Sequence, residues 1–96
     1  MFKELDPLLH SELRLAIISL LVGAGSADFK ELKVKTGATA GNLSVQLQKL
    51  SEAGYIEVEK TFKGKYPLTT CRITKVGIKA FDNYVEALKD YLAPRM

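Results

Sequence analysis

The feature that most constrains this sequence lies between Asp28 and Gly54, where two helical patterns are joined by only a few residues, Thr36-Gly37-Ala38-Thr39. The first pattern opens on Asp28-Phe29-Lys30-Glu31, an acceptor side chain followed by Glu at capping-box spacing. Phe29 and Leu32 face inward, and Gly37 is a natural C-terminal glycine. Thr39 caps the second pattern, in which Leu43, Leu47 and Leu50 recur at i, i+4 and i+7 and make one apolar stripe. Ala53-Gly54 ends it. A short helix, a tight glycine-bearing turn and a second helix form the helix-turn-helix signature. Any helical hairpin can use a glycine turn, so the following segment decides how much this signature means.

That segment alternates. From Tyr55 to Phe62, Ile56, Val58 and Phe62 interleave with Glu57, Glu59 and Thr61, which predicts a strand with Phe62 on its apolar side. Lys63-Gly64-Lys65 is a turn, and Tyr66-Pro67 demands extended backbone. Leu68 to Thr74 returns, with Thr69, Cys71 and Ile73 on one side and Thr70, Arg72 and Thr74 on the other. Two strands with a basic tip directly after a helix-turn-helix make a wing. Upstream, Asp6-Pro7 starts a helical turn, and Ser11 caps the longer helix if His10-Ser11 interrupts it. Leu13, Ala16, Ile17, Leu20 and Leu21 define that helix's inner face, and Gly23-Ala24-Gly25-Ser26 ends it. A last helix runs from about Lys75 to Leu92 and is closed by Pro94. The expected fold is mainly α with a small β-hairpin wing, a single winged helix-turn-helix domain over residues 1–96.

Charge follows the same division. Residues 1–27 carry two basic and three acidic side chains, residues 28–79 ten and five, and residues 80–96 two and three. The positive excess therefore sits in the middle of the chain, as expected where that middle meets a polyanion; a solvated lysine-rich surface gives the same count. No apolar run reaches the ~20 residues of a membrane span, and the acidic start lacks the regions of a signal peptide, so the expected compartment is the cytoplasm. Cys71 and His10 stand alone, which argues against a structural metal within one chain. No cofactor is implied, and no serine, histidine and acid are spaced as a triad, so the chain does not read as an enzyme. His10 fits a cap or core hydrogen bond, and Cys71 a buried small hydrophobe.

Several short motifs, in order, resemble the compact winged-helix DNA-binding family related to MarR-type and ArsR-type transcriptional regulators. Leu9-His10-Ser11-Glu12-Leu13-Arg14-Leu15-Ala16-Ile17 is similar to that family's opening helix. Phe29-Lys30-Glu31-Leu32 and Gly41-Asn42-Leu43-Ser44 resemble its two helix-turn-helix helices. The stretch from Leu47 to Ile56 is similar to its passage into the wing, and Ile73-Thr74-Lys75-Val76-Gly77 to the start of its last helix. The resemblance spans Leu8 to Leu88 and implies a DNA-binding regulator, more often a repressor. MarR-type wings usually carry an Asp-x-Arg pair, where this chain has Lys63-Gly64-Lys65-Tyr66-Pro67. The metal-site cysteines of ArsR-type proteins are also missing.

With the leucine stripe turned inward, the opposite face of the second helix carries Thr39, Gly41, Asn42, Val45, Gln46 and Lys49. Asn and Gln can each bond adenine bidentately, and an apolar group can touch a thymine methyl. Lys33, Lys35, Lys60, Lys63, Lys65 and Arg72 are the candidates for backbone phosphates. The same side chains also suit an ordinary solvated surface. Phe2, Leu5, Leu8 and Leu9 at one end, and Phe81, Tyr84, Val85, Leu88, Tyr91 and Leu92 at the other, exceed what so small a body covers. They predict a homodimer through segments 2–10 and 76–92, placing two recognition helices about one DNA turn, ~34 Å, apart on a near-palindromic operator. The alternative is a monomer whose last helix folds over its own first. A cleft beside the dimer helices leaves room for a small-molecule effector that no residue identifies. Two other functions fit the pattern: a protein-interaction module, and a nonspecific architectural DNA binder.

Overall fold

The computed structural model describes residues 2–93, and Pro94, expected to close the last helix, lies outside them. The order is α1 (Glu12–Ala24), β1 (Ser26–Asp28), α2 (Phe29–Thr36), α3 (Ala40–Glu52), β2 (Ile56–Lys63), β3 (Tyr66–Ile73) and α4 (Lys75–Leu92). Each helix begins where a side-chain acceptor meets an orphan backbone N–H. Ser11 accepts from Arg14, Thr39 from Asn42 and Thr74 from Gly77. Asp28 and Glu31 form the reciprocal capping box that their spacing predicts. Gly37 ends α2 in the left-handed region with φ 71°. Asp6-Pro7 opens only one turn, closed by Leu9 and His10 amides donating to the Asp6 carbonyl at 3.1 and 2.8 Å.

Leu43, Leu47 and Leu50 are buried as one seam of α3, and with Leu32, Ile56 and Cys71 they form the core beneath it. Each fully buried Leu or Ile contributes about 1.5–3 kcal/mol from burial. α1 runs through the centre, touching α2, α3, α4, β1 and β3. Its buried set is Ile17, Ile18 and Leu21, so the inner face is broader than the expected stripe and includes Ile18. A helix covered on several sides has no single polar face to keep wet.

The sheet has three strands in the order β1-β3-β2, all antiparallel. β1 is absent from the sequence reading, which let Gly25-Ser26 simply end the first helix. It exists because Ser26, Ala27 and Asp28 pair with Arg72, Cys71 and Thr70, and Ile73 N–H donates to the Gly25 carbonyl at 3.0 Å. The hairpin turns on two residues: Gly64 with φ 65° is followed by a lysine with negative φ, as in type II′ rather than type I′ loops. Phe62 does not face the core but is 76 % exposed, because the hairpin extends beyond the helices that its apolar row would pack on.

The hairpin is locked to α4 around Tyr55. Thr74 N–H donates to the Tyr55 carbonyl at 3.1 Å, and the Thr74 hydroxyl shares its proton between the Gly54 and Tyr55 carbonyls at 2.7 and 3.0 Å. The same hydroxyl accepts from Gly77 N–H at 3.0 Å. Gly77 lies so close that a Cβ there would stand 2.2 Å from the Tyr55 carbonyl oxygen and 2.8 Å from Ile73 Cδ1. The threonine and glycine of this motif therefore work as a pair, one as cap and the other as clearance.

The first and last described segments lie against each other. Phe2 packs on Tyr91 with ring centroids 4.6 Å apart, and Lys3 N–H donates to Asp90 at 3.1 Å. His10 Nδ1 and the Tyr84 hydroxyl share a hydrogen bond of 3.1 Å, and Tyr55 donates to Asp6 at 2.5 Å. Leu9 is fully buried and Tyr84 is 5 % exposed, while Leu5, Leu8 and Phe81 pack on the same core. These five expected dimer contacts thus serve the chain's own core in whole or part. No helix among the described residues is long and apolar enough to cross a membrane.

Two outcomes follow for stability. Gly77→Ala lacks room against backbone and should cost about 3 kcal/mol, lowering Tm in a thermal melt by about 12–24 °C. The hydrogen bond to Asp6, reinforced by burial, raises the Tyr55 phenol from 10.0 to about 12. The fold therefore favours the neutral phenol: its contribution is complete below pH 10 and is lost as pH climbs toward 12. Urea melts across that range should show the decline. Tyr55→Phe should shrink it to the share left by Cys71, whose thiol is pushed up to about 11 by burial and, less, by Asp28.

Candidate nucleic-acid interface

Burying the leucine seam of α3 dictates what its other side offers. Thr39, Gly41, Asn42 and Lys49 are exposed, Val45 is 49 % exposed, and Gln46 is half-buried. The Thr39 hydroxyl accepts from Asn42 N–H at 3.2 Å, which leaves its proton to donate outward at the positive end of the helix. Open space surrounds the position of a Cβ at Gly41, so the first turn presents bare backbone. Val45 supplies the one sizeable apolar group on this face.

Gln46 is placed differently from its neighbours. Its Oε1 accepts from Arg14 Nη1 at 2.5 Å, and its Nε2 donates to Asn42 Oδ1 at 2.9 Å. Arg14 in turn donates from Nε to the Leu8 carbonyl at 2.6 Å. The amide of Gln46 is thus engaged at both ends, and Asn42 stands one helical turn nearer the exposed start of α3. Arg14 had no place in the sequence-level set of site residues. Its contact crosses 32 positions of chain, and an arginine near a helix start gives no local sign of such a partner.

The cations fall into three groups. Lys33 and Lys35 lie exposed in the last turn of α2, beside the turn that leads into α3. Lys60 points to the sheet face that packs on the helices and lines an open groove of about 580 Å³ with Phe29, Ser44, Gln48 and Val58. Lys63 and Lys65 flank Gly64 at the hairpin tip. Arg72 stands apart. Strand alternation puts it on the opposite sheet face from Lys60, across from Glu57 and 3.9 Å from Glu59. Both members of that ion pair are more than half exposed, so it is worth little, but it directs Arg72 away from α3.

The wing also carries something the sequence reading missed. Phe62 and Tyr66 are 76 and 78 % exposed at the tip, among lysines and without an acid between Lys60 and Thr74. The combination of aromatic and basic residues at a turn was the available signal. α3 and the end of α2 offer amide donors and acceptors beside ammonium groups, and the wing tip adds two further lysines. That is the chemistry of base edges bordered by phosphates.

Known proteins share this fold. Residues 13–92 match the family model described as a winged helix DNA-binding domain. An uncharacterized protein of Methanocaldococcus jannaschii is 40 % identical over 77 residues, covering 79 % of this chain and 83 % of that one. A transcriptional regulator homologue from Pyrococcus horikoshii superposes with TM-score 0.84 at 24 % identity, over 91 % of this chain and 86 % of that one. A MarR-family transcriptional regulator from Silicibacter pomeroyi superposes with TM-score 0.68 at 16 % identity, over 86 % of this chain and 55 % of its own. With its four helices, short third strand and hairpin wing, the chain belongs to the winged helix DNA-binding domain family.

Proposed function

We propose that this DNA-binding regulator acts as a homodimeric repressor of transcription on a near-palindromic operator. The observation that carries the DNA-reading half is the exposed face of α3, with Thr39, Asn42, Val45 and Lys49, beside the lysines that end α2. α3 enters the major groove, where Asn42 and Val45 meet base edges and Thr39 and Lys49 the strand beside them. Lys33, Lys35, Lys63 and Lys65 bind phosphate, with the wing over the adjacent groove. Arg72 takes no part. Repression follows from occupancy, because a body seated across one turn of a promoter excludes other proteins from it.

The dimer rests on α4, which has two apolar rows rather than one. Gly77, Ala80, Tyr84, Ala87 and Tyr91 make the row turned to the chain's own body, where Gly77, Tyr84 and Ala87 are buried. Ile78, Phe81, Val85, Leu88 and Leu92 make a second row at heptad spacing, with Ile78, Leu88 and Leu92 39, 37 and 48 % exposed. A second copy's α4 is the natural cover for such a row. Phe2 and Tyr91 border it. The ten terminal residues expected at an interface thus reduce to about half, with Ile78 added.

The test is selection of genomic duplex by the purified protein, with the recovered fragments rebound at two salt concentrations. A shared palindrome with half-sites about one turn apart is expected. Binding without a common motif would instead mark an architectural protein, and no binding at low salt would favour a protein-interaction module. Lys33→Ala and Lys35→Ala should each weaken every duplex alike and lower the salt slope by about one. Leu88→Glu should leave the circular dichroism of the fold intact, yield a monomer in sedimentation, and weaken operator binding by tenfold or more; a dimer that persists would refute the α4 interface.

A further inference from the structure

We propose that Arg14 is a positioning residue for base readout: it fixes which end of the Asn42 amide faces the DNA. The inference rests on the reading of α3 as the recognition helix. It concerns an asymmetry that the exposed face alone does not have. Asn and Gln amides are close to symmetric in shape, with an oxygen at one end and an NH₂ at the other. An isolated Asn42–Gln46 pair, one helical turn apart, can therefore bond in either of two polarities. In one, Gln46 donates to Asn42, and in the other Asn42 donates to Gln46.

Arg14 removes the choice. A guanidinium has donors and no acceptor, so only the oxygen end of Gln46 can meet it. The observed geometry has this sense: Arg14 Nη1 donates to Gln46 Oε1 at 2.5 Å, and Gln46 Nε2 donates to Asn42 Oδ1 at 2.9 Å. The guanidinium is itself held, because its Nε donates to the Leu8 carbonyl at 2.6 Å. Arg14 and Gln46 are both half-buried, and Asn42 is exposed. The chain of bonds thus runs outward from the body to Asn42 Oδ1, which leaves the Nδ2 hydrogens of this exposed residue as its donors toward DNA.

Asn42 consequently meets the duplex as a donor. Its natural partners are acceptor-bearing edges, N7 of a purine above all, and the second lone pair of Oδ1 lets it accept from adenine N6 as well. The cytosine edge offers only an N4 donor, which can use the remaining Oδ1 lone pair but neither Nδ2 hydrogen, so it is the least favoured. Arg14 contacts no base in this scheme. It sets selectivity at one position of the half-site through two side chains.

The experiment uses duplexes selected by the wild-type chain, with each half-site position replaced in turn, and a random-sequence duplex as reference. Asn42→Ala identifies the position that Asn42 reads. Arg14→Met should flatten preference at that same position by about tenfold, while affinity for the random duplex stays unchanged. Gln46→Glu keeps the bond to Arg14 but can only accept from Asn42, so it reverses the polarity. Preference at that position should then move from purine toward cytosine, with all duplexes weakened alike by the added charge. Full preference retained in a folded Arg14→Met would overturn the proposal and leave Arg14 as a tie between α1 and the turn before it. Should Arg14→Met fail to fold, Gln46→Glu decides, and an unmoved preference there would overturn the proposal equally. If Asn42→Ala binds with every base preference intact, the inference falls while DNA binding stands. If the wild-type chain selects no duplex, the recognition-helix reading itself has failed.

Discussion

Much of this structure is organised around Tyr55. Its carbonyl accepts from Thr74, its backbone sets the clearance that only Gly77 meets, and its hydroxyl donates to Asp6. One residue therefore joins the end of α3, the root of the wing, the start of α4 and the turn that precedes α1. The direction in which the wing leaves the body, and the direction in which α4 leaves the wing, are set within a few ångströms of each other. Since α3, the wing and α4 all depart from this junction, it governs how the exposed face of α3, the wing tip and the outward row of α4 are oriented on one small domain.

The second constraint is the economy of α3. Three leucines anchor it, Gln46 and Ser51 are half-buried, and the rest of the helix is exposed. Such a helix would ordinarily present mobile polar side chains, whose ordering on binding costs conformational entropy. Here the Thr39 cap, the Gln46–Asn42 bond and the Arg14 contact hold the first two turns before any ligand arrives. Preorganisation and burial come from the same short segment, which explains why a helix of 13 residues is enough.

Local signals in the sequence were reliable wherever the physics is local. Caps at Ser11, Asp28 and Thr39, the glycine stop at Gly37 and the bounds of α4 all depend on neighbours within one turn, and all were legible, whereas Thr74 was read only as the end of the return strand. What escaped was made by distant partners. β1 has too few residues for alternation to show and is a strand only because β3 lies beside it. Phe62 has the right parity for the core but lies past the last helix able to cover it. The terminal apolar residues looked surplus because their partners are each other: Leu9, Tyr84 and Phe2 find cover across most of the chain length. In the candidate site, alternation could have separated Arg72 from Lys60, but nothing near Arg14 announces Gln46.

The strap formed by residues 2–10 has a kinetic side. Its contacts with α4, from Lys3 to Asp90 and from His10 to Tyr84, close loops of 87 and 74 residues, far longer than those within the helix-turn-helix or the hairpin. Loop closure over such distances is repaid only when both ends already have a surface to land on. The strap is therefore the last element to dock and the first to lift. In lifting it frees the Leu8 carbonyl from Arg14 and exposes the inner row of α4. Opening of this one segment, rather than global unfolding, sets the lowest rung of the protein's hydrogen-exchange ladder.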